Sequence, residues 1–80
     1  MPKIEKIYAY VATEAPGEEG ILAMFLPGAH TWFPMVGADM ERINSLKPYA
    51  EKVARQANKR IVLAEFSVRK DLEVVKEVEN

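Results

Sequence analysis

The fold is decided by the stretch Gly20-Ile21-Leu22-Ala23-Met24-Phe25-Leu26-Pro27-Gly28, in which six apolar residues lie between two turn signals. An apolar run of this length with these boundaries fits a buried strand better than a helix. We therefore predict a central strand over Ile21–Leu26. A tight turn at Pro27-Gly28 should follow it, because Pro presets φ and Gly accepts a positive φ.

The residues before this run predict a first strand and a hairpin. Ile4–Ala12 is dominated by aromatic and β-branched residues, which favour a strand. Pro16-Gly17 is a turn signal between this strand and the apolar run. We interpret the acidic segment Thr13–Gly20 as a solvated hairpin tip and not as a metal site, because its glutamates lack the spacing of a calcium-binding loop.

Alternation sorts the first strand into two faces. One face consists of Ile7, Ala9 and Val11. The other face consists of Lys6, Tyr8 and Tyr10. The second face is amphipathic, so we expect it to lie in water or at an interface, and we expect the first face to supply core residues.

The segment His30–Val36 contains the only His and the only Trp of the chain. Pro34 cannot donate to a strand ladder, so we predict an edge strand or a bulged strand here. Alternation places His30, Trp32 and Pro34 on one face and Thr31, Phe33 and Met35 on the other. A single helix covers one of these faces, so the other should display aromatic side chains at the sheet edge. The alternative is that Trp32 caps the core and that His30 is an ordinary surface residue.

A helix is predicted after Gly37-Ala38-Asp39, because Asp39 is a good N-cap. Apolar residues then recur at helical spacing, namely Ile43, Leu46, Ala50, Val53, Ala54 and Ala57. The phase continues through Pro48, which favours one kinked helix. The alternative is two short helices that meet near Lys47. Asn58 is the predicted left-handed C-cap.

The last clear strand is predicted over Arg60–Val68. Its first residues are apolar on both faces, so we expect a central position in the sheet. Beyond it, Leu72, Val75 and Val78 recur at a spacing of three, which favours a short helix. A valine-rich strand over the same residues is the alternative.

These elements give the order β-β-β-α-β with a short C-terminal element, in a single α+β domain over residues 1–80. We predict a two-layer sandwich in which a small antiparallel-rich sheet is backed by one main helix. The strand order resembles that of small antitoxin domains of the HicB type, in topology and without motif residues. The predicted core consists of Ile7, Val11, Leu22, Met24, Ile43, Leu46, Val53, Val62, Ala64 and Phe66.

Composition limits how such a fold is stabilised. One core in a chain of this size rarely supplies more than about 3–5 kcal/mol, and a chain without cysteine has neither disulfides nor thiolate metal sites. With 49% hydrophobic residues, we expect a homodimer or a higher homo-oligomer. The net charge of −1 offers no cationic excess for a nucleic-acid polymer. No membrane-span run and no signal-type segment is present, so we expect a cytoplasmic protein.

The sequence contains no catalytic, cofactor or metal motif. A serine nucleophile needs a positioned base, and His30 is the only histidine available to Ser45 or Ser67. We interpret the helical stripe Lys52, Arg55 and Lys59 as a solvated face. The chain is therefore expected to bind and not to catalyse.

Two binding functions are expected from these residues. The first is binding or sequestration of an anionic, nucleotide-like small molecule where subunits meet. Its site residues would be His30, Trp32, Arg42, Arg55 and Arg60, with the ring of Trp32 stacking and the arginines supplying charge. The alternative is a protein-interaction module, antitoxin-like or an inhibitor, that uses the edge strand His30–Val36 for β-augmentation. A structural protein without a ligand is a third possibility.

Overall fold

The computed structural model describes residues 3–77, and within them the chain forms six strands and one helix. The elements are β1 Ile7–Ala15, β2 Glu18–Ile21, β3 Ala23–Leu26, β4 Thr31–Pro34, β5 Val36–Gly37, α1 Met40–Ala57 and β6 Arg60–Phe66. All strand pairs are antiparallel, and the helix packs on the main sheet. The predicted α+β class with one main helix is therefore confirmed.

β1 is the central strand of the main sheet. One of its edges pairs with β6 over its length, from Ile7↔Phe66 to Thr13↔Arg60. The other edge is shared by β2 and β5. Within residues 3–77, β6 pairs with β1 alone, so the predicted central position of the last strand is wrong. Apolar residues on both faces of a strand do not require two neighbouring strands.

The predicted second and third strands each break at one residue. The run Ile21–Leu26 splits at Leu22 into β2 and β3, and the third strand splits at Met35 into β4 and β5. β3 and β4 pair with each other in a separate two-stranded sheet. The prediction of one central strand over Ile21–Leu26 is therefore wrong, because the second half of the run leaves the main sheet.

Three backbone hydrogen bonds join the chain at the two breaks. The Leu22 N–H donates to the Tyr10 carbonyl at 2.8 Å, and the Met35 N–H donates to the Leu22 carbonyl at 2.8 Å. The Tyr10 N–H donates to the Met35 carbonyl at 3.1 Å. Each of the three residues donates once and accepts once, and their side chains are buried in one cluster. We call this arrangement the strand junction.

The turn and cap predictions are confirmed. The hairpin between β1 and β2 turns at Pro16-Gly17, where Gly17 has φ 81°. The Asp39 carboxylate accepts a hydrogen bond from the Arg42 backbone N–H at 2.9 Å, which caps α1. Asn58 adopts the left-handed conformation with φ 52° and ψ 47°, and its N–H donates to the Ala54 carbonyl.

α1 continues through Pro48 as one helix of 18 residues, so the alternative of two short helices is wrong. The phase of its apolar residues explains this continuity, because Ile43 and Ala50, on either side of Pro48, are both buried against the sheet. Packing of this face therefore compensates for the hydrogen bond that the Asn44 carbonyl loses to Pro48.

The helix packs on the tyrosine face of β1. The buried cluster consists of Tyr10, Ala12, Leu22, Met35, Ile43 and Ala50, and the partly buried residues packed on it are Tyr8, Met24, Leu46, Val53 and Ile61. A tyrosine is stable there because the Tyr10 hydroxyl donates to the Ile43 carbonyl at 2.9 Å. The expectation that the tyrosine face lies in water or at an interface is therefore wrong.

The predicted core is correct for the residues of the helix face and wrong at the ends of the opposite face. Ile7 is exposed, and Phe66 is 53% exposed. Val11 is buried on that opposite face, and Val62 and Ala64 are half-buried there. The error arises because both faces of β1 and β6 are apolar, and alternation does not show which face the helix covers.

Residues 67–77 form neither helix nor strand. Both alternatives for the C-terminal element are therefore wrong for this part of the chain, and Val78 lies outside the described residues. Leu72 and Val75 are exposed. The apolar side chains whose spacing predicted a helix, Leu72 and Val75, do not pack on other residues of the described part of the chain.

We predict that Tyr10→Phe lowers the free energy of unfolding by about 0.5–1.5 kcal/mol at neutral pH, because it removes the hydrogen bond to Ile43. Thermal denaturation followed by circular dichroism measures this change. The matched control is Tyr49→Phe, since Tyr49 is an exposed tyrosine on α1. An equal loss in both variants would contradict the role of the Tyr10 hydroxyl.

The hydrogen bond from Tyr10 to Ile43 also predicts that the free energy of unfolding depends on pH. Burial, and secondarily the Glu51 carboxylate, raises the pKa of Tyr10 above its ordinary value of 10.0. The hydroxyl therefore stabilises the fold fully below about pH 10, and this contribution is lost as the pH rises through the raised pKa of the folded state. The stability deficit of Tyr10→Phe should shrink above pH 10 when both proteins are titrated together.

A second prediction concerns Pro48. An interior helical proline costs up to about 3 kcal/mol relative to alanine, and Pro48 is exposed, so its side chain contributes little packing. Pro48→Ala should therefore raise the melting temperature. The control Lys47→Ala changes an adjacent exposed side chain and leaves the backbone hydrogen bonds intact. A lower melting temperature for Pro48→Ala would show that the proline is needed for the packing of α1.

Candidate functional site

The β3–β4 hairpin, residues 23–34, is an arm that leaves the main sheet at the strand junction. Leu22 and Met35 hold its two ends in the buried cluster. At its tip the Ala29 N–H donates to the Leu26 carbonyl at 3.1 Å, which confirms the predicted turn at Pro27-Gly28. A two-stranded hairpin alone is only marginally stable in water, so the buried ends are what hold the arm in place.

The arm carries an exposed pair of aromatic rings. Phe25 and Trp32 are cross-strand partners, with ring centroids 5.3 Å apart and planes tilted by 50°. Met24 packs on the buried cluster, so alternation directs Phe25 and its partner Trp32 away from the helix. Trp32 is 65% exposed. The predicted display of aromatic side chains on an uncovered face is confirmed.

The arm also has free backbone edges. β3 and β4 pair only with each other within residues 3–77, so each has one outer edge without a partner strand. The prediction of an edge strand containing Pro34 is confirmed for β4, which ends at that proline. An unpaired edge is a template for an added strand.

His30 lies in the turn of the arm and not in a strand. Its backbone is left-handed, with φ 51°, and its N–H donates to the Pro27 carbonyl at 3.3 Å. β4 begins at Thr31. The alternation that placed His30 on one strand face with Trp32 therefore does not extend to it, although both residues belong to the arm and both are exposed.

Arg42 is held at the turn between β5 and α1. Its Nε donates to the Val36 carbonyl at 3.0 Å. Its aliphatic chain lies over Gly37, where an added Cβ would be 3.1 Å from the Arg42 Cδ. The nearby helical amide is already capped by Asp39. Arg42 thus has a structural role that competes with anion binding.

The other two predicted arginines lie at the far end of the helix. Arg55 is in the last turn of α1, and Arg60 begins β6 opposite Thr13. At 1.5 Å per residue, Arg42 and Arg55 are separated by about 20 Å along the helix. Within one chain these arginines do not converge on a single ligand. Of the basic stripe, Lys59 forms an ion pair with Glu14 at 2.6 Å.

An apolar surface on the side of the sheet away from the helix was not predicted from the sequence. We call it the open face. The large side chains of Ile7, Ile21 and Phe66 are exposed on it. Between them lie the small residues Ala9, which is buried at 1% exposure, and Ala64, which is half-buried. The signal was present in the alternation of β1 and β6, but Ile7, Ala64 and Phe66 were assigned to the core. α1 covers the tyrosine face, and on the open face the side chains of Ile7, Ile21 and Phe66 remain exposed.

Neither a metal cluster nor a membrane span is found in the part of the chain that the structure describes. No group of three or more His, Asp or Glu side chains within residues 3–77 is arranged to hold a metal ion. No helix in the same range is both long enough and apolar enough to cross a membrane. No protein-family model, curated protein or solved structure matches the chain. The arm and the open face are therefore the features from which a function can be proposed.

The structure predicts that truncating a side chain on the arm costs much less stability than truncating one at the base of the arm. Trp32→Ala should leave the protein folded, with a loss well below the roughly 3–5 kcal/mol of a buried tryptophan. Met35→Ala should cost about 2–5 kcal/mol, because Met35 is fully buried. Urea denaturation of both variants measures the difference. Unfolding of Trp32→Ala would place its ring in the core.

Proposed function

We propose that this chain is a small, non-catalytic protein-binding module that acts as a homo-oligomer and contacts its partner through the arm. One observation carries the proposal: the Phe25–Trp32 pair is exposed on a hairpin whose outer edges have no partner strand within residues 3–77. A strand of the partner that adds to such an edge gains main-chain hydrogen bonds, and the rings supply side-chain contacts.

The ring pair suits a binding role for energetic reasons. Tryptophan is enriched among the interface residues that carry most of the binding energy. The rings are already held against each other across two strands, so they lose little conformational freedom when a partner binds. The buried ends of the arm add to this pre-organisation.

The dimensions of the chain support self-association. Its accessible surface is 6927 Å², whereas a globular chain of 9.0 kDa exposes about 4,900 Å². Its radius of gyration is 15.3 Å, against about 12 Å for a compact domain of this length. The excess of about 2,000 Å² is comparable to what one subunit buries in an obligate dimer. Association would cover surface that the single chain leaves in water.

A second candidate function is binding of an anionic, nucleotide-like molecule where subunits meet. The exposed ring of Trp32 favours it, because an aromatic ring can stack on a base. Arg55 and Arg60 take part in no ion pair among the described residues. In this candidate function the ring and the charge come from different chains, because the site lies where subunits meet.

The non-catalytic part of the proposal rests on how the polar side chains are used. The Ser45 hydroxyl donates to the Arg42 carbonyl at 2.6 Å. The single histidine, His30, lies in the turn of the arm. A nucleophile with an adjacent base is therefore not assembled from Ser45 and His30.

Native mass spectrometry of freshly purified protein tests the proposal. We expect a partner protein to be retained by the wild type and by Tyr49→Ala, and to be lost from Trp32→Ala. The emission of Trp32, the only tryptophan, should shift to shorter wavelength when the partner binds, because the indole leaves water.

Three other outcomes of these measurements would support the second candidate function or contradict the proposal. A retained small anion that is lost from Arg60→Ala supports the second candidate function instead. Equal retention of a protein partner by the wild type and Trp32→Ala contradicts binding through the arm. Sedimentation of the wild type as a 9.0 kDa monomer at micromolar concentration contradicts the homo-oligomer.

A further inference from the structure

Two sets of exposed apolar side chains stand out within residues 3–77. The first lies on the open face, which is bordered by Ile7, Ile21 and Phe66. The second lies on the segment of residues 67–77, which we call the tail. The tail carries Val68, Leu72 and Val75 at exposures of 96%, 85% and 89%. Exposed apolar surface on this scale usually marks a contact site.

We infer that the tail of a second copy of this chain lies across the open face as an amphipathic helix, and that the two copies exchange tails reciprocally. The inference rests on the self-association in the proposed function and names the surface that produces it. It does not involve the rings of the arm.

The spacing of the tail favours a helix over a strand. Val68, Leu72 and Val75 stand at i, i+4 and i+7, which places them on one helical stripe. In a strand, Val75 would lie on the face opposite Val68 and Leu72. A segment that is extended alone and forms an amphipathic helix against an apolar groove is a known mode of recognition.

The open face has a shape that suits a helix. Its centre is low, because Ala9 and Ala64 are opposite each other in the β1–β6 ladder. Its ends are raised by the larger side chains of Ile7 and Phe66, which are also directly paired, and by Ile21 near the other end. Both faces of the sheet would then carry a helix, as a sheet that is apolar on both faces requires.

The start of the tail is held beside the N-terminal segment of its own chain, and the surface area favours a second copy as the source of the tail on the open face. Arg69 Nη1 donates to the Ile4 carbonyl at 3.0 Å, and Arg69 Nε donates to Asp71 Oδ1 at 2.7 Å. These bonds hold the start of the tail beside the N-terminal residues, where the two segments border a groove of about 640 Å³. The surface excess of about 2,000 Å² also matches one subunit's share of an obligate dimer interface. Exchange of a segment between identical chains is a common route to dimers.

Single-cysteine variants of the full chain test the exchange, because the natural sequence has no cysteine. A chain carrying Ile7→Cys is mixed with a chain carrying Leu72→Cys, and a short bis-maleimide is added. We expect a cross-linked dimer on a denaturing gel. The matched control replaces Ile7→Cys by Gln56→Cys, which lies on the exposed side of α1, and should give little cross-linked dimer.

A double variant with Ile7→Cys and Leu72→Cys in one chain shows whether the tail on the open face comes from the same chain or from a second copy. Cross-linking between chains supports the exchange, whereas a monomer-sized internal cross-link overturns it. A dimer in sedimentation that gives no cross-link overturns the exchange but leaves self-association in place. A monomer in sedimentation overturns both.

A pair of adjacent valines tests the helical conformation. Val75→Ser should raise the Kd of the dimer by about tenfold or more, because it places a hydroxyl on the buried stripe. Val74→Ser is the matched control and should leave the Kd nearly unchanged, since Val74 lies off that stripe. The opposite ranking would overturn the helix, because a strand would place Val74 on the same face as Leu72.

Discussion

The strand junction at Tyr10, Leu22 and Met35 is the constraint on which the rest of this structure depends. Two of the predicted strands break there, and a break inside a core would ordinarily leave backbone groups unpaired at a cost of a few kcal/mol. The cyclic arrangement avoids this cost, because each of the three residues donates one backbone hydrogen bond and accepts one. The same residues place their side chains in the buried cluster. The chain can therefore leave the main sheet as an arm and return to it without weakening the core.

The junction also determines which face the helix covers. Tyr10 contributes its backbone to the junction and its hydroxyl to the Ile43 carbonyl, so one residue connects the sheet, the arm and α1. Once the helix occupies the tyrosine face, the exposed apolar side chains of the main sheet include Ile7, Ile21 and Phe66 around the opposite face, whose central Ala9 and Val11 are buried. The surface to which we assign the proposed self-association is thus a consequence of the position of Tyr10.

The local parts of this fold were predictable from the sequence, and the choice between its two faces was not. Asp39, Asn58 and Pro16-Gly17 each specify a backbone conformation through their own chemistry, so the helix ends and the first turn could be predicted. Phe66 was placed in the core because it shares an apolar face of its strand with Val62 and Ala64, and the alternation does not show which face the helix covers. The break at Leu22 has no local signal, since neither Gly nor Pro interrupts Ile21–Leu26. It depends on hydrogen bonds to residues that are distant in sequence.

The candidate site shows the same division between local chemistry and tertiary contact. Arg42 was selected because it stands beside a helix N-terminus, but its Nε and its aliphatic chain are engaged by Val36 and Gly37. The absence of a Cβ at Gly37 is what allows this close approach, so the pair forms a structural contact of the turn. Trp32 has no comparable structural role, because it lies outside the buried cluster and its one described aromatic neighbour, Phe25, is exposed as well. A large apolar ring that contributes so little to the core is unfavourable in water. Its presence is explained physically when a partner covers it, which is why the arm carries the functional proposal and the arginines do not.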